Sequence, residues 1–313
     1  MSAVDGQAAG VRVHGGESPP QAPIEVWSWL AFGMLALAVG GIVYLGARPG
    51  GIGPIWFWLH GRFLLVGAAF FLTLVGLAWS ARYPPFLQRR RGRAFLSLVL
   101  VVGVLPLPMP YPSSRERSPS RVPFVLPLEG TWVVHQSGTA GGPLSAMTAD
   151  RRFGLHFVHP DDLAPEVAGE HASEYAGYGA TVLAPAPGVV AWVRDGLPDR
   201  SLAESAYGDM PELGNVIVLE VAEDQYLFFG HLAAGSLRVA VGDTVVVDQA
   251  LGQVGFSGRF RFTPMPNLSL HLQSAPDEGW GEPIPWTFRD YVGGVTAVPN
   301  GVPAQGQSVR RDG

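Results

Sequence analysis

Three histidines lie in strand-like stretches of the sequence and could take part in metal binding or proton transfer. His231 follows the apolar run Tyr226–Phe229, His271 lies within NLSLHLQ, and His156 lies within RRFGLHFVH. A neutral imidazole can ligate zinc through a ring nitrogen, and it can exchange a proton near neutral pH. A single histidine in a strand is usually an ordinary hydrogen-bonded residue. A functional site therefore requires a fold that brings the three side chains together.

The stretch between His231 and His271 predicts the elements that would position these side chains. Its β-branched runs are separated by Gly-Asp and Gly-Phe-Ser-Gly turns, which is typical of antiparallel strands. Alternate residues of a strand share a face, so the three leucines of NLSLHLQ point into a core while Ser269 and His271 point to the opposite face. The same alternation places Arg152 and His156 on one face of RRFGLHFVH.

The motifs of the C-terminal half form an ordered set. They are APAPGVV (184–190), GNVIVLE (214–220), GHL (230–232), VAVGDTVVVDQALGQVGFSG (239–258) and SLH (269–271). In order and spacing this set resembles the lysostaphin-type (LytM-type) zinc metallopeptidases over about residues 129–292. The resemblance implies an all-β domain, a small lysostaphin-like sandwich of the duplicated hybrid motif type with a groove on one sheet.

The resemblance also implies roles for five positions. It assigns zinc binding to His156 and His271, catalysis to His231 and Ser269, and a lost ligand position to Arg152. The family has histidine where this chain has Arg152 and Ser269, and aspartate where it has His156. A guanidinium has no lone pair and stays charged, and a serine does not accept a proton near neutral pH. Zinc is therefore expected if the domain is active, and no cofactor otherwise.

Two arrangements could still complete a metal site. His156, His231 and His271 could form a three-histidine zinc site with an open position for water. Alternatively, one of four further residues could complete the shell, although each is by itself more typical of a loop or the surface: His135, His159, His171 and Asp161.

The composition excludes several functions. The 313 residues contain no cysteine, so disulfides, cysteine zinc sites and thiol nucleophiles are excluded. The APAPGVV and VGDTVV runs also resemble parts of lipoyl and biotinyl carrier domains, but all 21 basic residues are arginine, and a carrier needs a lysine. Residues 122–313 contain 10 arginines and 22 acidic residues, a net charge of −12. That balance argues against nucleic acid as a partner.

The N-terminal half predicts a membrane anchor. Val26–Leu45 and Phe63–Ser80 are uncharged and long enough to cross a bilayer. Ala94–Leu105 is shorter and reaches across only if the apolar stretch continues to Met109. The arginine cluster Arg89–Arg93 lies between the second and third runs, and short positive loops stay in the cytoplasm. This predicts an inner (cytoplasmic) membrane protein with an extracytoplasmic C-terminal domain.

These patterns divide the chain into five parts. We predict a disordered N-terminus over 1–25, a membrane anchor with two or three transmembrane helices over 26–109, a Pro/Ser-rich stalk over 110–127, the peptidase-like β-domain over 128–292, and a disordered tail over 293–313.

Three functions are compatible with the sequence. The departures at Arg152 and Ser269 favour a degenerate domain, a pseudoenzyme that binds peptidoglycan peptides at the cell wall or regulates a partner amidase, hydrolase or division protein. The alternative is an active zinc metalloendopeptidase that cleaves peptidoglycan cross-links through a variant histidine site. A purely structural β-domain is the third. In each case the N-terminal helices would contact membrane lipid.

Overall fold

The computed structural model describes residues 25–83, 88–107, 110–138, 151–164, 170–200, 210–259 and 263–312. The predicted disordered N-terminus lies outside these residues, apart from Glu25. The chain consists of an α-helical N-terminal region followed by an all-β domain, so the predicted fold class is confirmed.

The helical region contains α1 (Val26–Ala47), α2 (Ile52–Trp56), a π-helical turn (Phe57–Gly61), α3 (Arg62–Arg82) and α4 (Arg89–Val104). Two of its stretches, Val26–Ala47 and Ile52–Arg82, are long and apolar enough to cross a membrane, each with a mean hydropathy of 2.1. α4 has 16 residues. At 1.5 Å per residue it is about 24 Å long, shorter than a hydrocarbon core of about 30 Å.

The long helices α1, α3 and α4 pack around a shared apolar core. At one end, Glu25 forms an ion pair with Arg91 in the first turn of α4, and Arg91 Nη1 donates to the carbonyl oxygen of Tyr83 at 2.5 Å. At the other end, Leu45 of α1 packs in one cluster with Tyr111, which follows α4. α1 and α4 therefore run in the same direction, and α3 runs in the opposite one.

Within its described residues the β-domain contains twelve strands. They are β1 (Trp132–Ser137), β2 (Leu155–Val158), β3 (Thr181–Leu183), β4 (Gly188–Arg194), β5 (Asn215–Ala222), β6 (Gln225–Leu232), β7 (Thr244–Val245), β8 (Ala250–Gln253), β9 (Leu268–Gln273), β10 (Phe288–Gly293), β11 (Thr296–Gly301) and β12 (Ser308–Arg311). Ten of them form one sheet in the order β11-β10-β12-β1-β2-β9-β6-β5-β4-β7, and β3 pairs with β8.

The main hydrophobic core lies between these two sheets. Leu155 and Leu270 from the large sheet and Val182 and Leu251 from the small one belong to the same buried cluster. Two sheets that face each other across an apolar core form the predicted sandwich arrangement. The opposite face of the large sheet is available for the polar residues of β2, β6 and β9.

The predicted stalk, 110–127, is packed against the β-domain. Phe124 is fully buried and forms a bridge with Phe288, and Ser113 Oγ donates to the carbonyl oxygen of Pro283 at 2.7 Å. Ser114 Oγ donates to Glu282 at 2.9 Å. The predicted Pro/Ser-rich stalk is therefore not separate from the domain, because apolar residues within its sequence enter the domain core.

The predicted disordered tail, 293–313, contains two strands of the large sheet. β12 pairs with both β1 and β10, and Val309 at its centre is buried in the main core. The prediction is wrong for this segment. Its composition of glycines, prolines and polar residues does not indicate that β11 pairs with β10, that β12 pairs with β10 and β1, and that Val309 enters the main core.

Candidate functional site

The sheet register places His156, Ser269 and His271 of the sequence motifs on the adjacent strands β2 and β9. His156 of β2 lies opposite Ser269 of β9, and His271 of β9 lies opposite Phe228 of β6. The neighbouring pair Leu155 and Leu270 belongs to the main core, so the histidines are on the other face of the sheet. We call the residues His156, His231 and His271 the histidine cluster.

His231 is held in an unusual backbone conformation at the end of β6. Its φ is +62°, in the left-handed region that residues other than glycine seldom adopt. Its N–H donates to the carbonyl oxygen of Leu213 at 2.7 Å, and its carbonyl oxygen accepts from Gly255 N–H at 2.9 Å. These two bonds hold the imidazole on the polar side of the sheet. The ring centroids of His231 and His156 are 5.8 Å apart.

The side chain of His231 has a defined tautomer. Its Nδ1 lies 2.8 Å from the carbonyl oxygen of Ser257. A carbonyl oxygen only accepts, so Nδ1 carries the proton and Nε2 carries the lone pair. A ring nitrogen fixed in this way is typical of metal ligands and of general bases.

Two glycines from separate motifs bring Ser257 to this position. A Cβ on Gly214 would lie 2.4 Å from the Oγ of Ser257, and a Cβ on Gly258 would lie 2.4 Å from the backbone nitrogen of Gly214. Both glycines have a positive φ. The close approach lets Ser257 Oγ accept from Asn215 N–H at 2.9 Å and donate to the carbonyl oxygen of Leu232 at 2.7 Å.

His156 uses both ring nitrogens in hydrogen bonds with hydroxyl groups. Nδ1 lies 3.2 Å from Oγ1 of Thr263, and Nε2 lies 3.1 Å from Oγ of Ser269. A neutral imidazole donates from one nitrogen and accepts at the other, and hydroxyls can do either. The serine at the degenerate motif position therefore occupies the ring nitrogen through which His156 could bind a ligand.

His271 is stacked on an aromatic ring beneath the site. Its ring centroid is 4.6 Å from that of Phe228, with an interplanar angle of 19°. His156, His231 and His271 are each at most 3% exposed. The histidine cluster is therefore a buried set of imidazoles on the covered polar face of the sheet.

A buried arginine shapes the electrostatics of the cluster. Arg151 is 5% exposed, and its Nη2 lies 3.0 Å from Oε1 of Glu212. Its positive charge lowers the pKa of all three histidines. Burial is the largest cause of lowering in each case, since a charged imidazole loses its hydration inside the protein.

The three histidines are consequently neutral near pH 7. Burial holds the pKa of His156 and His271 well below the ordinary value, and for His156 the charges of His231 and Arg151 add to the effect. The pKa of His231 is lowered by burial, although its bond to Ser257 opposes the shift. Neutral imidazoles next to a guanidinium give the site a single positive charge, partly balanced by Glu212.

Arg152, the residue at the predicted lost ligand position, binds a different part of the chain. Its Nη1 donates to the carbonyl oxygen of Tyr111 at 2.7 Å, and its Nη2 lies 2.7 Å from Oε1 of Glu116. The guanidinium therefore holds the segment that joins α4 to the β-domain. Strand alternation predicted that Arg152 lies on the same face as His156. In the structure the arginine beside the histidines is the neighbouring residue, Arg151.

The other candidate ligands occupy separate environments, with one exception. His159 packs edge-on against Trp132 at 5.6 Å and lies 3.7 Å from Asp161, and His171 is exposed. His135 is half-buried and its charge lowers the pKa of His156, so it is close to the cluster. Of the four residues considered for completing a metal shell, only His135 interacts with the cluster.

The residues of the cluster do not fit a zinc ion in this arrangement. Among the residues that the structure describes, no three histidine, aspartate or glutamate side chains are arranged to hold a metal. Nε2 of His156 is bonded to Ser269, and the charge of Arg151 would repel a divalent cation. A catalytic zinc site needs three ligands and an open position.

Comparison with known proteins gives matches among solved structures. The catalytic domain of the prophage-encoded M23 protein EnpA from Enterococcus faecalis, in a mutant form, is 22% identical, with 50% of this chain and 92% of that chain covered and a TM-score of 0.33. Lysostaphin from Staphylococcus simulans is 19% identical, with 50% of each chain covered and a TM-score of 0.30. A zinc-containing peptidase from Vibrio cholerae is 20% identical, with 50% of this chain and 37% of that chain covered and a TM-score of 0.27.

The chain is similar to M23 peptidases. They are the family that its sequence motifs resemble. The chain spans about half or less of the length of lysostaphin and of the Vibrio cholerae peptidase. No protein-family model matches the sequence, and no curated protein matches it.

Sequence reasoning missed two residues that contact or influence the histidine cluster. Arg151 was overlooked because it is adjacent to Arg152, and strand alternation assigned the site-facing position to the second arginine. Thr263 is 1% exposed and bonds His156 from a loop before β9. Nothing in its immediate sequence, RFTPMP, distinguishes it from an ordinary loop threonine.

Proposed function

We propose that this protein is a membrane-anchored, non-catalytic M23-type domain that binds peptide or protein partners at the cell wall. The observation that carries the proposal is the charge of Arg151 among three neutral imidazoles, one of which is capped by Ser269. A guanidinium at this place opposes zinc binding, and without zinc the imidazoles lack the Lewis acid that activates water in such peptidases.

The burial of the cluster supports the same proposal. In general-base catalysis the attacking water must lie within about 3 Å of the catalytic nitrogen, and the peptide carbonyl must lie next to that water. His231, the residue with an available Nε2 lone pair, is 3% exposed. The cluster therefore acts as a structural element of the sheet. Peptidoglycan peptides, or a partner amidase or division protein, would bind to other surfaces of the domain.

The direction of the helices supports an extracytoplasmic location for the domain. α1 and α4 run in the same direction, and the end of α1 marked by Leu45 packs against Tyr111 at the start of the β-domain. An odd number of passes, with Arg89–Arg93 in the cytoplasm, then places the domain outside. α4 is short for a complete pass, but the residues up to Leu107 extend its length.

Metal analysis and a cleavage assay test this function together. We expect the purified full-length protein, incubated with zinc and then desalted, to retain much less than one zinc per chain. We also expect no release of cross-linked peptides from isolated sacculi, measured by chromatography of the soluble products. Stoichiometric zinc that is lost in His271→Ala but kept in His171→Ala, together with peptide release, would refute the proposal. The exposed His171 is the matched control.

A second candidate function is a working metalloendopeptidase with a variant site. One observation favours it: the bond from Nδ1 of His231 to Ser257 leaves Nε2 ready to bind a metal or accept a proton. In that case the side chains of His156 and Arg151 would have to rearrange when zinc binds. Zinc-dependent release of peptides from sacculi would distinguish this function from the non-catalytic one.

A further inference from the structure

A buried arginine in the helical region lacks an acceptor among the residues that the structure describes. Arg62 begins α3 and is 5% exposed. Its Nε and Nη1 are buried and make no hydrogen bond. It directly precedes the uncharged run Phe63–Ser80, which belongs to one of the two stretches long enough to cross a membrane.

Two further buried donors belong to Trp58, which contacts Arg62, and to Tyr111, which contacts Trp58. The guanidinium carbon of Arg62 lies 4.3 Å from the ring centroid of Trp58, and the ring of Tyr111 packs edge-on against Trp58 at 6.0 Å. Nε1 of Trp58 and Oη of Tyr111 are also buried and make no hydrogen bond. We call Trp58, Arg62 and Tyr111 the donor cluster.

The nearest carboxylate is already engaged. Burial is the main cause that raises the pKa of the Tyr111 hydroxyl, and the charge of Glu282 adds to it. The oxygens of Glu282 accept from the N–H of Ser114 and from its Oγ at 2.9 Å. It makes no ion pair with Arg62 among the described residues. Buried polar groups in proteins are almost always bonded, and a buried charge is almost always paired. The donor cluster therefore indicates a ligand with several acceptor oxygens.

We propose that Trp58, Arg62 and Tyr111 bind a phosphate group, with an anionic phospholipid as its source. Phosphate oxygens accept several hydrogen bonds at once and match the planar donors of a guanidinium. Arg62 lies directly before the uncharged run Phe63–Ser80, and an arginine near the end of such a run reaches the lipid headgroups. This inference does not depend on whether the histidine cluster is catalytic.

An apolar groove begins at the same helical turn. It has a volume of about 610 Å³ and is lined almost entirely by apolar side chains and glycines of α1, the π-helical turn and α3. Among its lining residues, Phe57 directly precedes Trp58, Gly61 directly precedes Arg62, and Leu64 and Leu65 follow shortly after Arg62. A groove of this chemistry, next to a phosphate site within the bilayer, accommodates the acyl chain of the same lipid.

Native mass spectrometry of the full-length protein in a non-ionic detergent tests the proposal. The probes are dioleoyl phosphatidylglycerol and, as the lipid without phosphate, dioleoylglycerol. We expect the wild-type protein to retain phosphatidylglycerol preferentially. Arg62→Gln should bind it at least about tenfold more weakly, because it loses charged hydrogen bonds. Arg82→Gln, at the exposed end of the same helix, is the matched control and should bind as wild type does.

A second variant keeps the test valid if Arg62→Gln folds poorly. Tyr111→Phe retains the ring contact with Trp58 and removes only the hydroxyl, and it should weaken phosphatidylglycerol binding about threefold or more. Inorganic phosphate in a thermal-shift assay distinguishes the source. Stabilisation of the wild type but not of Arg62→Gln by phosphate, without lipid retention, would support the phosphate site with a soluble ligand. Equal lipid and phosphate binding by the wild type, Arg62→Gln and Tyr111→Phe would overturn the proposal.

Discussion

The hydroxyl oxygen of Ser269 lies 3.1 Å from Nε2 of His156, across the register that pairs β9 with β2. This contact uses the ring nitrogen that a metal would need. It is one of two features that separate the cluster from a zinc site, and the charge of Arg151 is the other. Each feature can be removed by substitution.

Restoring the family pattern should give zinc binding only if Arg151 is also replaced. The variant His156→Asp, Ser269→His supplies an aspartate and a histidine of the expected types at the cluster but retains the buried guanidinium of Arg151. Adding Arg151→Ala removes its repulsion of a divalent cation, and we expect zinc affinity to rise at least about tenfold over the double variant. Competition with a chromogenic chelator measures both affinities. Equal affinities would show that Arg151 does not oppose the metal.

The stability of the β-domain should fall in mild acid. The three histidines have lowered pKa values when folded, so the unfolded chain binds protons that the folded chain does not. Their contribution is fully present above about pH 6.5 and is lost as the pH falls from there towards the lowered folded pKa of each histidine, by at most about 1.4 kcal/mol per pH unit for each one. Melting temperatures between pH 8 and pH 5 test this.

Two substitutions provide the comparison for that pH series. His271→Phe removes one buried imidazole and keeps an aromatic ring next to Phe228, so the pH dependence should become shallower. His171→Ala removes an exposed imidazole and should leave the dependence unchanged. A wild-type melting temperature that is flat from pH 8 to pH 5 would contradict the assignment of neutral buried histidines.

Replacing Arg152 should loosen the segment between α4 and the β-domain. Arg152→Ala removes the bonds to Tyr111 and Glu116, and Glu116 is half-exposed, so the ion pair contributes less than about 1 kcal/mol. We expect limited trypsin cleavage after Arg115 and Arg117 to accelerate a few-fold. Arg289→Ala, which removes an exposed arginine beside Asp290, is the control. Unchanged cleavage would mean that the Glu282 contacts hold the segment alone.

The C-terminal strands should contribute to the stability of the domain. Val309 is 2% exposed, so Val309→Asp buries an unpaired carboxylate and should lower the free energy of unfolding by about 3 kcal/mol or more. Val295 lies in the turn between β10 and β11 and is 99% exposed, so Val295→Asp should change it by less than about 0.5 kcal/mol. Chemical denaturation of the two variants measures the difference, and similar losses would argue against a packed β12.

The absence of cysteine allows the topology to be tested with single thiols. Val295→Cys should react with a membrane-impermeant maleimide in intact spheroplasts, because the β-domain is proposed to be outside. Arg90→Cys, in the exposed part of the arginine cluster, should react only after the membrane is permeabilised. The reverse pattern would place the domain in the cytoplasm.

The sequence predicted those features that depend on local periodicity. Alternation in NLSLHLQ separates the core leucines from Ser269 and His271, and the structure has the leucines in the main core. The same rule fails at Arg152 because β2 begins only at Leu155, and Gly154 N–H bonds back to the carbonyl oxygen of Arg151 at 2.8 Å. In that turn the period of two does not apply, so the orientations of the two arginines could not be derived.

The remaining errors concern segments whose order comes from distant contacts. Phe124 and Val309 lie in stretches whose prolines, glycines and polar residues are typical of linkers. Each is buried only because the sandwich leaves space for it next to Phe288 or β1. Amino-acid composition describes a segment as a whole, whereas the burial of one apolar side chain can be enough to order that segment.

Segment 110–117 contacts both the helical region and the β-domain, and these contacts limit how far from the membrane the β-domain can extend. Tyr111 packs with Trp58 of the helical region, while Arg152 and Glu282 hold the same segment to the β-domain. Without a free tether, the domain cannot swing outward. In the proposed orientation it would meet only targets within about 40 Å of the lipid surface, the diameter expected for a domain of this size. Peptidoglycan or partner proteins that lie farther from the membrane would have to approach the membrane before the domain could bind them.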